Sequence, residues 1–95
     1  MPTSHAQVAT DASARYAKQL ASHFGHKITV ESTEDGYALT FQSFSAVLVP
    51  KADHLLMTAT AADAEALTNA QNVLGSHLER FGARNELSVQ WGPAS

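Results

Sequence analysis

The sequence has no cysteine. That excludes a disulfide framework, a thiolate metal site and a cysteine nucleophile. A secreted domain of this size often relies on disulfides, so a reducing cytoplasm is the expected compartment. Positive charge is also in short supply: six basic against nine acidic side chains leave a net charge of −3. No basic stripe of the kind that neutralises phosphates is visible, so no nucleic-acid partner is expected. Long apolar runs are missing too. The longest, Ala46–Val49, is far too short to span a bilayer. Met1-Pro2-Thr3-Ser4-His5 shows no basic segment leading into an apolar stretch, so no signal peptide is expected.

What is present fits one globular domain. The chain has 95 residues, 44% hydrophobic and 16% charged. A chain of this length buries roughly 60–65% of its unfolded surface, enough for a single core. One domain over residues 1–95 is expected, ordered over about 4–92, with disorder at Met1–Thr3 and Pro93–Ser95.

The periodicity predicts an α+β two-layer sandwich. A first helix is expected over Asp11–Phe24, with Thr10 as N-cap and Ala12, Tyr16, Leu20 and Phe24 as its apolar stripe. Gly25 is expected to end it in the left-handed conformation. Four strands follow, over Lys27–Glu31, Tyr37–Gln42, Phe44–Val49 and His54–Thr60, with Asp35-Gly36 as a turn that uses a positive φ. A second helix over Ala62–Phe81 carries Leu67, Ala70, Leu74, Leu78 and Phe81 inward, and Gly82 ends it. A last strand is expected over Glu86–Trp91. The predicted order is α-β-β-β-β-α-β, with both helices on one face of a mostly antiparallel five-stranded sheet. The other face would be mostly polar, with an apolar centre at Val47, Val49 and Leu56.

Five histidines, His5, His23, His26, His54 and His77, are the first chemical feature. Imidazole binds transition metals and moves protons near neutral pH. A site of His23, His26 and His77 can be drawn, but the expected topology places the two helix C-termini at opposite ends of the layer. That separates His23 from His77 by on the order of 10–15 Å or more and makes His5 the expected neighbour of His77. His23 and His26 are then helix-terminal cations, and His77 a hydrogen-bonded, half-buried packing residue. No metal is assigned. Asp11, Asp63 and Glu65 suit helix N-termini, and Glu34, Asp35 and Asp53 suit turns, so no carboxylate pair is forced into one pocket. No serine lies in a Gly-x-Ser-x-Gly context, and Ser76 and His77, adjacent on a helix, do not face each other. Arg80 suits its helix C-terminus, and with Arg84 could hold an anion.

Several segments are shared with a known family. Ala14-Arg15-Tyr16-Ala17-Lys18-Gln19-Leu20 and Ser22-His23-Phe24-Gly25-His26-Lys27 come first. Asp63-Ala64-Glu65-Ala66-Leu67, His77-Leu78-Glu79-Arg80-Phe81 and Leu87-Ser88-Val89-Gln90-Trp91 complete the pattern. Together they resemble the domain-of-unknown-function 2218 family over nearly the whole chain. Departures fall at Ala21, at Gly82-Ala83 and at Asn85.

The resemblance implies a small bacterial domain of a kind also fused to siderophore-interacting flavoproteins. It therefore implies a non-catalytic accessory module in siderophore-iron utilisation. The expected partners are a ferric siderophore or a siderophore-interacting flavoprotein, and the candidate ligand contacts are His23, His26, Lys27, His77, Arg80 and Arg84. No catalytic residue and no cofactor is assigned. A second reading is a homo-oligomer, a dimer in the simplest case, built through Val47, Val49 and Leu56. A third and weaker one is a small metal-dependent lyase or hydrolase. The aldolase label carried by some relatives does not strengthen it, because a class II aldolase needs a far larger barrel and a clustered metal site.

Overall fold

The structure is a computed structural model, and it describes residues 2–83 and 87–93. The elements are β1 (Thr3–Ala9), α1 (Ser13–Phe24), β2 (Thr29–Ser32), β3 (Tyr37–Thr40), β4 (Phe44–Pro50), β5 (His54–Ala61) and α2 (Ala64–Phe81). The strands form one five-stranded sheet in the order β1-β5-β4-β3-β2, with every neighbouring pair antiparallel. Both helices pack on the same face, and one core joins them to the sheet. The predicted class, strand number and layering are those observed.

The order of elements is not the predicted one: it runs β-α-β-β-β-β-α. The fifth strand comes from the start of the chain. In β1 the residues alternate strictly, with Ser4, Ala6 and Val8 buried and His5, Gln7 and Ala9 exposed. That is the period of a half-buried strand, but small and polar side chains write it faintly. Every residue of Thr3–Ala9 pairs with one of His54–Thr60.

With β5 paired on both sides, the C-terminal segment meets the sheet at the outer edge of β1. The strand expected over Glu86–Trp91 begins outside the described residues. Its described part makes one bridge, Ala6 to Trp91. It is held instead by Gly92 N–H donating to the His5 carbonyl at 2.9 Å and by the Ser4 hydroxyl donating to the Gly92 carbonyl at 2.8 Å. The Val89 N–H also donates to the Glu79 carboxylate at 3.0 Å. Leu87, Val89 and Trp91 still pack half-buried against the core.

The ends of the helices also differ from expectation. The start of α1 has no side-chain cap, although the Thr10 hydroxyl accepts from the Ala12 N–H at 3.1 Å. Asp63 caps α2, its carboxylate accepting from the Ala66 N–H at 2.8 Å. Gly25 (φ −60°) and Gly82 (φ −99°) both end their helices on the right-handed side, not in the left-handed region. Gly36 lies outside that region as well; it is required for a different reason, close backbone approach to Leu48.

Candidate functional site

The site forms where the last turn of α1 meets the last turns of α2. The apolar stripe of α1 drives Phe24 into the core, where its ring is 5.2 Å from Phe41, which stacks on Phe44 at 4.3 Å. The ring beyond Phe24 is His77, at 5.0 Å. His23 follows, 5.0 Å from His77 and 5.5 Å from Phe81. One continuous row of rings therefore runs from the buried edge of the sheet out to the surface.

This corrects the expected separation of His23 and His77. Opposite helix polarity does not determine where two helices meet. An 18-residue helix is about 27 Å long and can meet a 12-residue partner anywhere along that length. Here the aromatic contacts between the helices all join residues 23 and 24 to residues 77 and 81. His5 is not the neighbour of His77. It pairs with Thr58 on the open face of the sheet, its Nδ1 2.9 Å from the Thr58 hydroxyl.

His77 is half-buried, and its Nδ1–H donates to the Val73 carbonyl at 2.7 Å. That bond leaves Nε2 as the free nitrogen of the neutral ring. His26 and Lys27 sit directly after α1, held by the Gly25 N–H on the Ala21 carbonyl and the Lys27 N–H on the Phe24 carbonyl, at 2.8 and 2.9 Å. Arg80 is one residue before Phe81 in the last turn of α2. Arg84 falls outside the described residues. Among the described residues no three His, Asp or Glu side chains are placed to hold a metal ion.

These groups act on one another through His23. Its pKa is lowered below the usual 6.5, first by loss of water around the ring and then by the charges of His77, Lys27, His26 and Arg80. Five of the six ligand contacts named from the sequence, His23, His26, Lys27, His77 and Arg80, therefore lie in one electrostatic neighbourhood. The sign for stability follows. A folded pKa below the unfolded one means that the unfolded chain binds the proton more readily. The His23 contribution is full above pH 6.5 and is lost as pH falls through the lowered folded value. Histidine ring NMR across pH 4–8 should show His23 protonating at lower pH than the ordinary value, with a His23→Gln variant assigning the signal. A midpoint at or above 6.5 would contradict the geometry.

A shallow open groove of about 510 Å³ starts at this cluster, lined by Arg15, Lys18, Gln19, Ser22, His23 and Phe81. Sequence reasoning missed its α1 wall. The signal was present: Arg15, Lys18, Gln19 and Ser22 fall at i, i+3, i+4 and i+7, a polar stripe beside the core stripe. The Arg15 guanidinium lies 5.2 Å from the Tyr16 ring centre, a cation–π distance that steadies it. No carboxylate lines the groove. In an acidic chain with six Lys and Arg in all, Arg15 and Lys18 line this groove and Lys27 and Arg80 bear on His23 at its end.

On the opposite face, Val47, Val49 and Leu56 lie together: Val49 pairs with Leu56, and Val47 is 39% exposed. No helix among the described residues is long and apolar enough to cross a membrane.

No curated protein matches the chain. The NMR structure of PA4090 from Pseudomonas aeruginosa is similar to it, with 34% sequence identity and a TM-score of 0.82, over 98% of this chain and 97% of that one. The family model described as "Uncharacterized protein conserved in bacteria (DUF2218)" matches residues 5–92, and the chain belongs to that family.

Proposed function

We propose that this chain is a non-catalytic, cytoplasmic ligand-binding module of siderophore-iron utilisation, which holds an anionic ferric chelate at the cluster of His23, His26, Lys27, His77 and Arg80. The iron link comes from the family resemblance. The observation that carries the binding role is charge segregation: in a protein of net charge −3, Arg15 and Lys18 line a groove that no carboxylate lines, and the charges of Lys27 and Arg80 act on His23 at its end. Such a field draws in anions, and guanidinium and ammonium groups supply charge-assisted hydrogen bonds. A ferric siderophore, free or presented by a siderophore-interacting flavoprotein, is the expected partner. Arg84, three residues beyond Phe81 in the sequence, belongs to the same proposal.

Titration with ferric citrate and with tris-catecholate and tris-hydroxamate chelates tests it, gallium replacing iron for NMR. Saturable shifts at the rings of His23 and His77 are expected, and an Arg80→Gln, Lys27→Gln variant should weaken binding about tenfold. Flat titrations with all three chelates would remove the reading.

A second reading, a homodimer through the open sheet face, is favoured by the register. Glu31, Ala38, Val47, Thr58 and His5 form one row across the five strands. Glu31 and His5 stand at its two ends, about 19 Å apart at the usual strand spacing. A twofold axis along the strands sets Val47 against its copy and each Glu31 against the other copy's His5. An axis across the strands would instead oppose like charges. Light scattering should show the mass rising toward twice 10.1 kDa with concentration, and exposed Val47→Lys should abolish the rise. A single-chain mass at millimolar concentration ends this reading.

A further inference from the structure

The shape of the groove narrows the ligand class, on the footing of the ligand-binding reading above. We infer that the groove takes an aryl carboxylate, a flat ring seated against Phe81 and His23 with its acid group directed toward Lys18 and Arg15.

Two independent features of the groove lead there. Its end is aromatic: Phe81 and His23 approach edge-to-face, their centroids 5.5 Å apart at an interplanar angle of 75°. Two rings set nearly at right angles form a corner. A third flat ring entering it stacks on one and meets the edge of the other, the two arrangements aromatic rings prefer. The row behind is already filled by His77 and Phe24, so the corner is backed by packed side chains and should hold its shape.

The α1 wall is polar and cationic. Arg15, Lys18, Gln19 and Ser22 climb the helix away from the corner, and a helix rises about 1.5 Å per residue. Arg15, eight residues before His23, therefore lies about 12 Å along the axis from it, and Lys18 about 7.5 Å. Both side chains line the same groove as the corner, so a ligand seated there can extend toward them. A ring at the corner with a carboxylate directed up the helix meets Ser22 and Gln19 as neutral donors, then Lys18 and Arg15 as charges. Arg15 can present two parallel N–H groups to a carboxylate, and its position over Tyr16 limits the freedom lost on binding.

Every other charged or titratable group that bears on His23 is cationic or imidazole: His77 and Arg80 on α2, and His26 and Lys27 after α1. A bound carboxylate relieves that repulsion and favours the protonated His23 ring. The midpoint of His23 should therefore move up on binding.

The test compares three probes that separate ring from charge: benzoate, cyclohexanecarboxylate and benzamide. Amide and histidine-ring NMR follows each on the full chain. Benzoate should give saturable shifts confined to residues 15–23 and 77–81, and should raise the His23 midpoint. Cyclohexanecarboxylate, with equal charge and no flat ring, should bind about fivefold more weakly. Benzamide, with the ring and no charge, should not saturate. The exposed pair Arg15→Gln, Lys18→Gln should lower benzoate affinity about tenfold without disturbing signals elsewhere. Equal binding of benzoate and cyclohexanecarboxylate, saturation by benzamide, or shifts scattered outside the groove would each overturn the inference. If ferric chelates bind and benzoate does not, the aryl carboxylate is excluded and the module reading stands. If neither binds, both fail.

Discussion

Replacing Phe24 with alanine should lower folding stability by about 3 kcal/mol, because a buried aromatic ring is removed from a packed site. Phe24 is 6% exposed and touches His23, Phe41 and His77, so its ring joins the sheet edge to both helices. For a domain of this size the loss corresponds to roughly 12–20 °C in Tm. A second effect distinguishes this position from an ordinary core residue. Phe24 also packs against both His23 and His77, whose charge helps to lower the His23 pKa, so without the Phe24 ring the two imidazoles should move apart and the His23 midpoint should rise toward its ordinary value. Phe24→Leu should recover most of the stability but leave the His23 midpoint partly raised. Denaturant unfolding with histidine NMR reads both quantities. A stability loss under about 1 kcal/mol would mean that Phe24 does not bridge the layers as described.

Gly36→Ala should be comparably damaging, for a backbone reason. A methyl group built at Gly36 would lie 1.9 Å from the Leu48 carbonyl oxygen and 2.9 Å from its carbon. Those are main-chain atoms of β4, paired with β3 through Tyr37 and Leu48, so they cannot rotate away as a side chain could. The turn itself is closed by the Thr33 N–H donating to the Gly36 carbonyl at 2.8 Å and the Gly36 N–H donating to the Thr33 hydroxyl at 2.9 Å. The clash must therefore be relieved by displacing β3 from β4. A loss of about 3 kcal/mol or more, or failure to fold, is expected. Unfolding curves of Gly36→Ala beside Gly25→Ala provide the control, since a Cβ at Gly25 meets nothing closer than 3.0 Å. Equal, small effects would show that β4 has room to give.

Much of the site was legible residue by residue and illegible as an arrangement. His23, His26, Lys27, His77 and Arg80 were each named from composition, spacing or resemblance, and each bears on the same place. Their convergence was not readable, because helix order and polarity leave the crossing point of two helices free. The crossing depends on which side chains interlock, here Phe24 and His77. Arg15 and Lys18 were passed over for a different reason: a charged helical stripe usually only faces water, and nothing local says that Phe81 of the other helix closes it into a groove.

The charge balance, the absence of cysteine, and the α+β class with two helices on one face of five strands were all determined by the sequence itself. These follow from composition and from the periods of 3.6 and 2, which are local properties of the chain. Tertiary structure alone decided which segment supplied the fifth strand. Thr3–Ala9 has weak strand character by itself and becomes a strand because β5 offers it seven paired positions and the core accepts Ser4, Ala6 and Val8. It also decided that His23 and His77 touch. Pairing and packing between distant residues are set by the global fit of surfaces, and no local pattern encodes that fit.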